Sequence, residues 1–413
     1  MNMLVADASP RVRPVPHPWV WAVLYFPLGL AFGFPAVALG YLGSRSGLPV
    51  SAIAGVVGMT FLGSGWKFLW APVGDYTLSR KTWYVIAVSL VAVTLVAMTV
   101  IPISPDTVRL LSVLTLASTV AATFIAFATE GLMAHNTTRD TRGRAGGWFQ
   151  SGNQFGQTAG GGIGLLLIQH APSTWVAGLA LAAIVLACAL PLIGLEEPPR
   201  ALGDASMGDR MRDAARELLS VVRSRAGRIA LILAILPIGT GAAMFLFSAI
   251  GPEFHASADV VSAVLGLGGG VAIVAGCIAG GRLADRVAKP TAYAISCGLG
   301  LVACVVIVFS PRTSAGYAAS TLFYTFTLGM VTGSFTGLVL AIIGDTAAAT
   351  KINLFFALNT LFSLGMLRAC GWAHDAWSTN GMLLTEALTG VAALALFVVL
   401  ARRVGGTELG TSR

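Results

Sequence analysis

Twelve apolar segments, each about 20 residues long, run through the 413 residues of this chain. One α-helix needs a segment of that length to cross the hydrocarbon core of a bilayer, because it rises about 1.5 Å per residue. Charged residues make up only 11% of the sequence and apolar residues 56%, a balance that excludes a soluble domain. The sequence therefore predicts an all-α membrane protein with 12 transmembrane helices.

The segments fall into two groups of six. Their predicted bounds are 18–43, 51–72, 82–103, 110–134, 145–169, 174–195, 229–251, 259–281, 290–309, 316–343, 352–372 and 380–401. The predicted domains are a cytoplasmic tail (1–17), a six-helix bundle (18–195), a cytoplasmic linker (196–228), a second six-helix bundle (229–401) and a second tail (402–413). Helical spacing of apolar residues at 207–222 predicts an amphipathic helix in the linker, which either only connects the bundles or also has a regulatory docking role.

Basic residues lie mainly on one side of the predicted spans. With the N-terminus inside, Arg45, Arg109 and Arg312 fall outside, and Lys67 and Arg368 fall within spans. The other 21 of the 26 Lys and Arg residues fall inside. Cytoplasmic loops carry such an excess, so both termini are predicted to be cytoplasmic. The net charge of +8 then reflects topology, and we expect no nucleic-acid partner.

The second and eighth loops carry similar charged residues at the predicted inner surface. Asp75 precedes Arg80, and Asp285 precedes Arg286. Such a carboxylate can accept from helix N-terminal amides and can pair with an arginine in one transport state only. These four residues are candidate gate residues, or else they only cap helices and anchor the topology. Lys67, near the inner end of the second span, is a fifth candidate, and its alternative is snorkelling to the interface.

Two carboxyl groups are predicted to lie inside the membrane. Glu130 falls in the inner third of the fourth span, and Glu386 falls in the outer third of the twelfth. An acid in hydrocarbon is costly unless it is paired or protonated, so both are candidate proton-coupling residues, with Glu130 preferred. The alternative for Glu130 is a structural ion pair with Lys67 or with a loop arginine.

The fifth span carries two stripes of different chemistry. One stripe has amides at i, i+3, i+4 and i+7, namely Gln150, Asn153, Gln154 and Gln157. The other starts nearly opposite and repeats every fourth residue, at Gly152, Gly156, Gly160 and Gly164. Amides cannot face hydrocarbon unsatisfied, so the first stripe is predicted to line a wet substrate cavity and the second to face a neighbouring helix. Hydrogen bonding between helices, without substrate contact, is the alternative for the amides.

The eleventh span adds two substrate-binding candidates. Asn359 lies at the edge of a milder polar stripe, and Arg368 lies towards the outer end. The planar guanidinium of Arg368 suits a carboxylate or another anionic group, or else it snorkels outward. Asp140-Thr141 with Asn153 is echoed by Asp345-Thr346 with Asn359, and this weak repeat favours two duplicated halves, as in secondary transporters.

Enzyme chemistry has no motif in this sequence. It contains no phosphate-cradling loop with a lysine, no metal-ligand spacing and no nucleophile beside a base. We therefore expect no enzymatic activity, no cofactor and no metal site. The expected partners are a small-molecule substrate, protons and the lipid bilayer, with the chain acting as a monomer.

Three stretches carry a family resemblance. The segment Lys67-Phe68-Leu69-Trp70-Ala71-Pro72-Val73-Gly74-Asp75, the start Tyr25-Phe26-Pro27-Leu28-Gly29-Leu30 and the loop 281–286 resemble the major facilitator superfamily, specifically its muropeptide-permease (AmpG-like) branch. The resemblance implies two six-helix bundles, alternating access and proton-driven uptake across a bacterial inner membrane.

The resemblance to that branch is incomplete. The muropeptide permeases are longer, and their fourth span has an Asp-Ala-Tyr-type motif where this chain has Ala128-Thr129-Glu130-Gly131. In size the chain is more similar to the permeases for ferric siderophores of the pyochelin and rhizobactin kind. The expected function is import of such a solute. A muropeptide importer, a drug or metabolite efflux pump, and a non-transporting sensor or assembly factor are the alternatives.

Overall fold

The computed structural model describes residues 16–65, 78–137, 142–197, 241–343 and 348–405. Within these ranges the chain forms twelve helices. They are α1 (Trp19–Arg45), α2 (Val50–Gly65), α3 (Arg80–Val100), α4 (Val108–Asn136), α5 (142–170), α6 (Thr174–Ala187), α7 (Ala242–Phe254), α8 (Ala258–Arg286), α9 (Lys289–Phe309), α10 (Ser314–Ile343), and α11 and α12, which share Ala348–Gly405. We call the end where α1 and α3 begin the inner end and the opposite end the outer end.

Several predicted features lie outside the described residues. They are Lys67, Asp75, the repeats at 140–141 and 345–346, and the amphipathic segment 207–222. Seven of the described helical stretches are long and apolar enough to cross a membrane, and the described parts of α2 and α7 are shorter apolar helices. Most predicted bounds agree with these helices. α11 and α12 differ, because only Trp377 and Ser378 leave helical geometry between them, where a longer loop at 373–379 was predicted.

Glycines set the closest helix contact in the first half. Four glycines of α5 face four residues of α1 in constant register: Gly152 opposite Ala22, Gly156 opposite Phe26, Gly160 opposite Leu30 and Gly164 opposite Phe34. A Cβ at Gly152, Gly156 or Gly164 would overlap α1, and one at Gly160 would make a tight contact with Leu30. Close backbone approach is a main source of helix association in membranes, and the predicted role of the glycine stripe is confirmed.

A second glycine seam joins α8 and α10 in the other half. Gly276 lies against the backbone of Phe326, and Gly280 lies against that of Met330. Gly329 and Gly333 of α10 reciprocate by lying against the backbone of α8. The two seams join different helix pairs in their respective halves.

Side chains fix the inner end of α3. Ser79 caps α3 by accepting from the Thr82 nitrogen. The Glu197 carboxylate accepts from the backbone nitrogens of Arg80 at 2.6 Å and Lys81 at 3.2 Å, which satisfies two more of the free amides in this first turn. The start of the predicted linker is therefore held against the first half.

The two halves meet in the middle and at the outer end. Ser262 of α8 donates to the Gly162 carbonyl of α5 at 2.5 Å, and the Ser248 hydroxyl of α7 donates to the Ala36 carbonyl of α1. α1, α5 and α8 each contain one π-helical turn, at 35–39, 156–160 and 264–268, and the last two lie side by side. Such turns often mark functional sites, because the widened helix redirects its backbone groups.

Candidate functional site

Glu130 forms the first of two carboxyl sites. It is half-buried on α4, and its carboxyl is hydrogen-bonded to the Tyr25 hydroxyl of α1. The buried ring of Tyr25 stacks on Phe149 of α5, with 3.6 Å between ring centroids. A phenol hydroxyl both donates and accepts, so this partner serves the carboxyl in either protonation state. α1, α4 and α5 thus meet around a titratable group about 9 Å from the inner end of α4.

Arg80, a predicted gate residue, lies against the same part of α4. Its Nη1 donates to the Phe127 carbonyl at 3.0 Å, and its guanidinium lies 3.9 Å from the centre of the Phe127 ring. A Cβ on Gly131 would lie 2.6 Å from the Arg80 Cζ, so this glycine leaves space for the guanidinium. Arg80 therefore lies against Phe127 and Gly131, which are three residues before and one residue after Glu130 on α4.

Glu386 forms the second carboxyl site, inside the other half. The residue is only 8% exposed, and its Oε2 accepts from the Tyr324 hydroxyl of α10 at 2.9 Å. The thiol of Cys304 on α9 lies 4.0 Å from the same oxygen. A cavity of about 30 Å³ adjoins these three side chains, which is room for one water molecule. Each half therefore contains one glutamate hydrogen-bonded to a tyrosine.

The predicted amide stripe divides between two environments. Gln150 is exposed, whereas Asn153, Gln154 and Gln157 are half-buried. Gln154 lines a groove between α5 and α8, while the backbones of Asn153 and Gln157 pack against Gly29 of α1. The side chain of Asn359 lies outside the described residues, although its backbone belongs to α11.

The other predicted residues are exposed. Arg368 is exposed on α11, as is Trp372 one turn after it. Arg368 borders the face of α11 that packs against the first half, because Leu364, one turn before it, contacts Gly58 of α2. Asp285 and Arg286 are exposed in the last turn of α8.

The outer end holds a cluster of charged residues that are not among the sequence-predicted site residues. Asp375 of α11 accepts from the backbone nitrogens of Val50 and Ser51, at 2.8 and 3.0 Å, and so caps α2. His374 lies beside it, with Nδ1 3.8 Å from the Asp375 Oδ1 and Nε2 2.5 Å from the Glu253 Oε1. The cluster thus runs from α7 through α11 to the first turn of α2.

A second outer contact between the halves is more exposed. His170 Nε2 of α5 lies 2.9 Å from Asp259 Oδ1 of α8, and both side chains are more than 60% exposed. The sequence signal for the outer residues is their position, because an acid that lies next to a histidine near a helix end can cap a helix. The partner helix cannot be read from the sequence, because it belongs to the other half of the chain.

Within the described parts of the chain, His, Cys, Asp and Glu residues form no group of three or more that could hold a metal ion. Two helical bundles, meeting face to face and each holding a carboxyl group, define a polytopic membrane protein of the transporter class. The sequence matches the family model of the Major Facilitator Superfamily over residues 21–368. The chain therefore belongs to the major facilitator superfamily, and the predicted fold of two six-helix bundles is confirmed.

Solved structures of three transporters are similar to this chain. A mutant of the nucleoside transporter NupG superposes with a TM-score of 0.70 at 13% identity, covering 93% of this chain and 98% of that one. The D-xylose-proton symporter superposes with a TM-score of 0.69 at 15% identity, covering 92% of this chain and 97% of that one. A bacterial homolog of the human lysosomal transporter Spinster, in an inward-facing and occupied conformation, superposes with a TM-score of 0.69 at 13% identity. The match covers 93% of this chain and 96% of that one. At such identities the likeness shows the fold alone, and no curated protein matches the chain in sequence.

Proposed function

We propose that this chain is a proton-coupled secondary transporter that imports a small to medium organic solute. The observation that carries the proposal is the hydrogen bond between Glu130 and Tyr25, a half-buried carboxyl held where three helices meet. A carboxyl inside a membrane bundle is a functional group by default, because burial without a function is costly. The D-xylose-proton symporter shares the fold, which is compatible with proton coupling in this chain.

Alternating access assigns distinct roles to the two ends. The outer end is held together by the Asp375 cap and the pair of His170 with Asp259, so the conformation described here is closed on that side. Asp285 and Arg286, together with Lys67, Asp75 and Arg80, are the proposed inner gate, which forms when the inner ends approach. Conversion between the two arrangements would carry the proton on Glu130, with Glu386 as the alternative carrier.

The proposed substrate cavity lies between the two halves, and α5 and α11 are among the helices that form it. Its candidate residues are Gln150, Asn153, Gln154, Gln157, Asn359 and Arg368. Amides that are half-exposed on a membrane helix need water or a ligand as partners, and this need supports the assignment of the α5 stripe. We place the chain in a bacterial inner membrane as a monomer with both termini in the cytoplasm, on the positive-inside asymmetry.

Proteoliposomes test the proton coupling. We expect Glu130→Gln to abolish substrate-linked proton movement while substrate counterflow persists, because counterflow needs no net proton transfer. Glu197→Gln is the matched control, since Glu197 is an inner-end carboxylate whose described contacts are backbone nitrogens. Substrate-linked proton movement by Glu130→Gln at the wild-type level would refute this mechanism.

A ferric siderophore is the proposed cargo. The resemblance of the 67–75 segment to the muropeptide-permease branch, together with the chain length of 413 residues, supports this choice. Uptake of radiolabelled ferric siderophore by cells with and without this chain tests the substrate. Equal uptake would exclude it, and a muropeptide panel or an efflux assay in the same cells would then separate the remaining candidates from a non-transporting sensor.

A further inference from the structure

A deep apolar groove runs between the two halves in the inner part of the molecule. Its walls come from α1, α5 and α6 on one side and from α8 on the other, and it encloses about 710 Å³. Trp148 and Phe155 line the first wall, and Val271 and Val274 line the second. These four side chains are between 45% and 68% exposed, so in a membrane they face lipid, whereas Ser151 and Gln154 give the α5 wall a polar part. Its volume falls within the range of about 300–1,000 Å³ that is usual for ligand sites.

The groove ends where α5 and α8 touch. A Cβ on Gly270 would lie 2.9 Å from the Thr158 hydroxyl, and Ser262 bonds to the Gly162 carbonyl one to two turns further towards the outer end. Below this contact the two helices separate, and the groove opens between them. It is therefore a crevice between the two halves rather than a furrow within one bundle.

The inner mouth of the groove is basic. Val274 and Ile278 line the groove, and Arg282 and Asp285 follow them on the same face of α8. Arg286 lies one turn beyond Arg282, to the side of that face. Both arginines are exposed. Lys289 and Asp285 are also exposed here, which leaves three basic groups against one acidic group. An apolar slot thus leads to a cationic surface at the depth of the lipid headgroups.

The length of the groove matches one leaflet. Its lining on α8 extends from Leu267 to Ile278, about 16 Å at the helical rise. One leaflet of the hydrocarbon core is about 15 Å thick. We infer that the groove binds an acyl chain of an anionic phospholipid of the inner leaflet, whose phosphate pairs with Arg282. Arginine suits this role because its planar fork matches the phosphate oxygens.

This lipid binds one conformation of the protein. The groove exists because α5 and α8 touch at the outer end and separate at the inner end. When the inner ends of the two halves move towards each other, the two walls of the groove come together and expel the acyl chain of the lipid. A ligand that binds only one of two states shifts the population towards that state, so anionic lipid favours the outer-closed conformation.

Native mass spectrometry of the full chain tests the site, with phosphatidylglycerol as the probe and phosphatidylcholine as the zwitterionic comparison. We expect the wild type to retain phosphatidylglycerol in preference to phosphatidylcholine. Arg282→Gln lowers phosphatidylglycerol binding about fivefold, the effect of one basic group near an anionic headgroup. Val274→Trp fills the groove and removes binding of both lipids at this site. The readout is binding, so its outcome does not depend on transport or on the substrate.

Val93→Trp is the matched control. Val93 is 65% exposed and lines an apolar groove of about 610 Å³ between α3 and α6, within one half, so binding stays at the wild-type level. Val271→Trp, at a side chain 68% exposed, is a second groove-filling variant in case Val274→Trp does not fold. Wild-type lipid binding by a folded groove-filling variant would overturn the inference, as would equal binding of the two lipids by the wild type.

Discussion

The carboxylate of Asp375 caps the helix that begins at Val50, although the two residues belong to different halves of the molecule. The cap satisfies amides that a helix leaves free at its N-terminus, and its negative charge is favourable at the positive end of the α2 dipole. The bond exists only while the halves meet at the outer end. It therefore stabilises one conformation relative to the other, rather than the fold as a whole.

Removing this cap shifts the conformational equilibrium. Asp375→Ala loses about 1 kcal/mol of capping energy, which changes the ratio of outer-closed to outer-open molecules roughly fivefold towards open. Distances between spin labels on the outer loops of the two halves measure this ratio. Asp259→Ala removes the other contact between the halves, and we expect a smaller shift because exposed ion pairs contribute about 0–1 kcal/mol. Equal shifts in the two variants would contradict the assignment.

Glu253 stabilises the outer corner of the second half. Its carboxylate contacts His374 at 2.5 Å and accepts from the Thr379 hydroxyl at 2.6 Å, joining α7 to both sides of the bend between α11 and α12. Glu253→Ala removes the partner of the Thr379 hydroxyl and of the His374 Nε2, and costs about 2–3 kcal/mol. Thr379→Val removes only one bond and costs about 1 kcal/mol. The apparent Tm in detergent should therefore be lower for Glu253→Ala than for Thr379→Val. The reverse order would show that other contacts hold this corner.

The glycine register between α1 and α5 predicts a difference between two glycines of one helix. A Cβ at Gly156 overlaps the Phe26 backbone, so Gly156→Ala forces the helices apart and costs about 1–3 kcal/mol. A Cβ at Gly146 meets no other atom within 4 Å, so Gly146→Ala leaves stability unchanged or raises it through helix propensity. Thermal unfolding of both variants in one detergent makes the comparison. A lower Tm for Gly146→Ala than for Gly156→Ala would refute the packing argument.

Local patterns explain what the sequence could predict. The helices and the glycine seam follow from apolar length and from spacing of four residues, which depend only on neighbours along the chain. The tyrosine partners of Glu130 and Glu386 cannot be predicted from such patterns. Tyr25 and Tyr324 are distant from them in sequence, and tyrosine is common in apolar segments. Tyr25 belongs to the stretch that carries the family resemblance, and this was the available signal for it. No sequence pattern indicates that Asp375 caps α2, since the contact depends on how two bundles dock.

Glu386 and Glu130 are predicted to differ in their effect on coupling, although each is hydrogen-bonded to a tyrosine. Glu386 is 8% exposed, and its described surroundings come from within the second half. Glu386→Gln keeps the acceptor for the Tyr324 hydroxyl and the side-chain volume, so we expect substrate-linked proton movement to persist in proteoliposomes. Glu386→Ala instead enlarges the cavity and deprives Tyr324 of its partner, at a cost of about 1–3 kcal/mol in stability. Loss of proton movement in a stable Glu386→Gln protein, with retention in Glu130→Gln, would move the proton site to the second half.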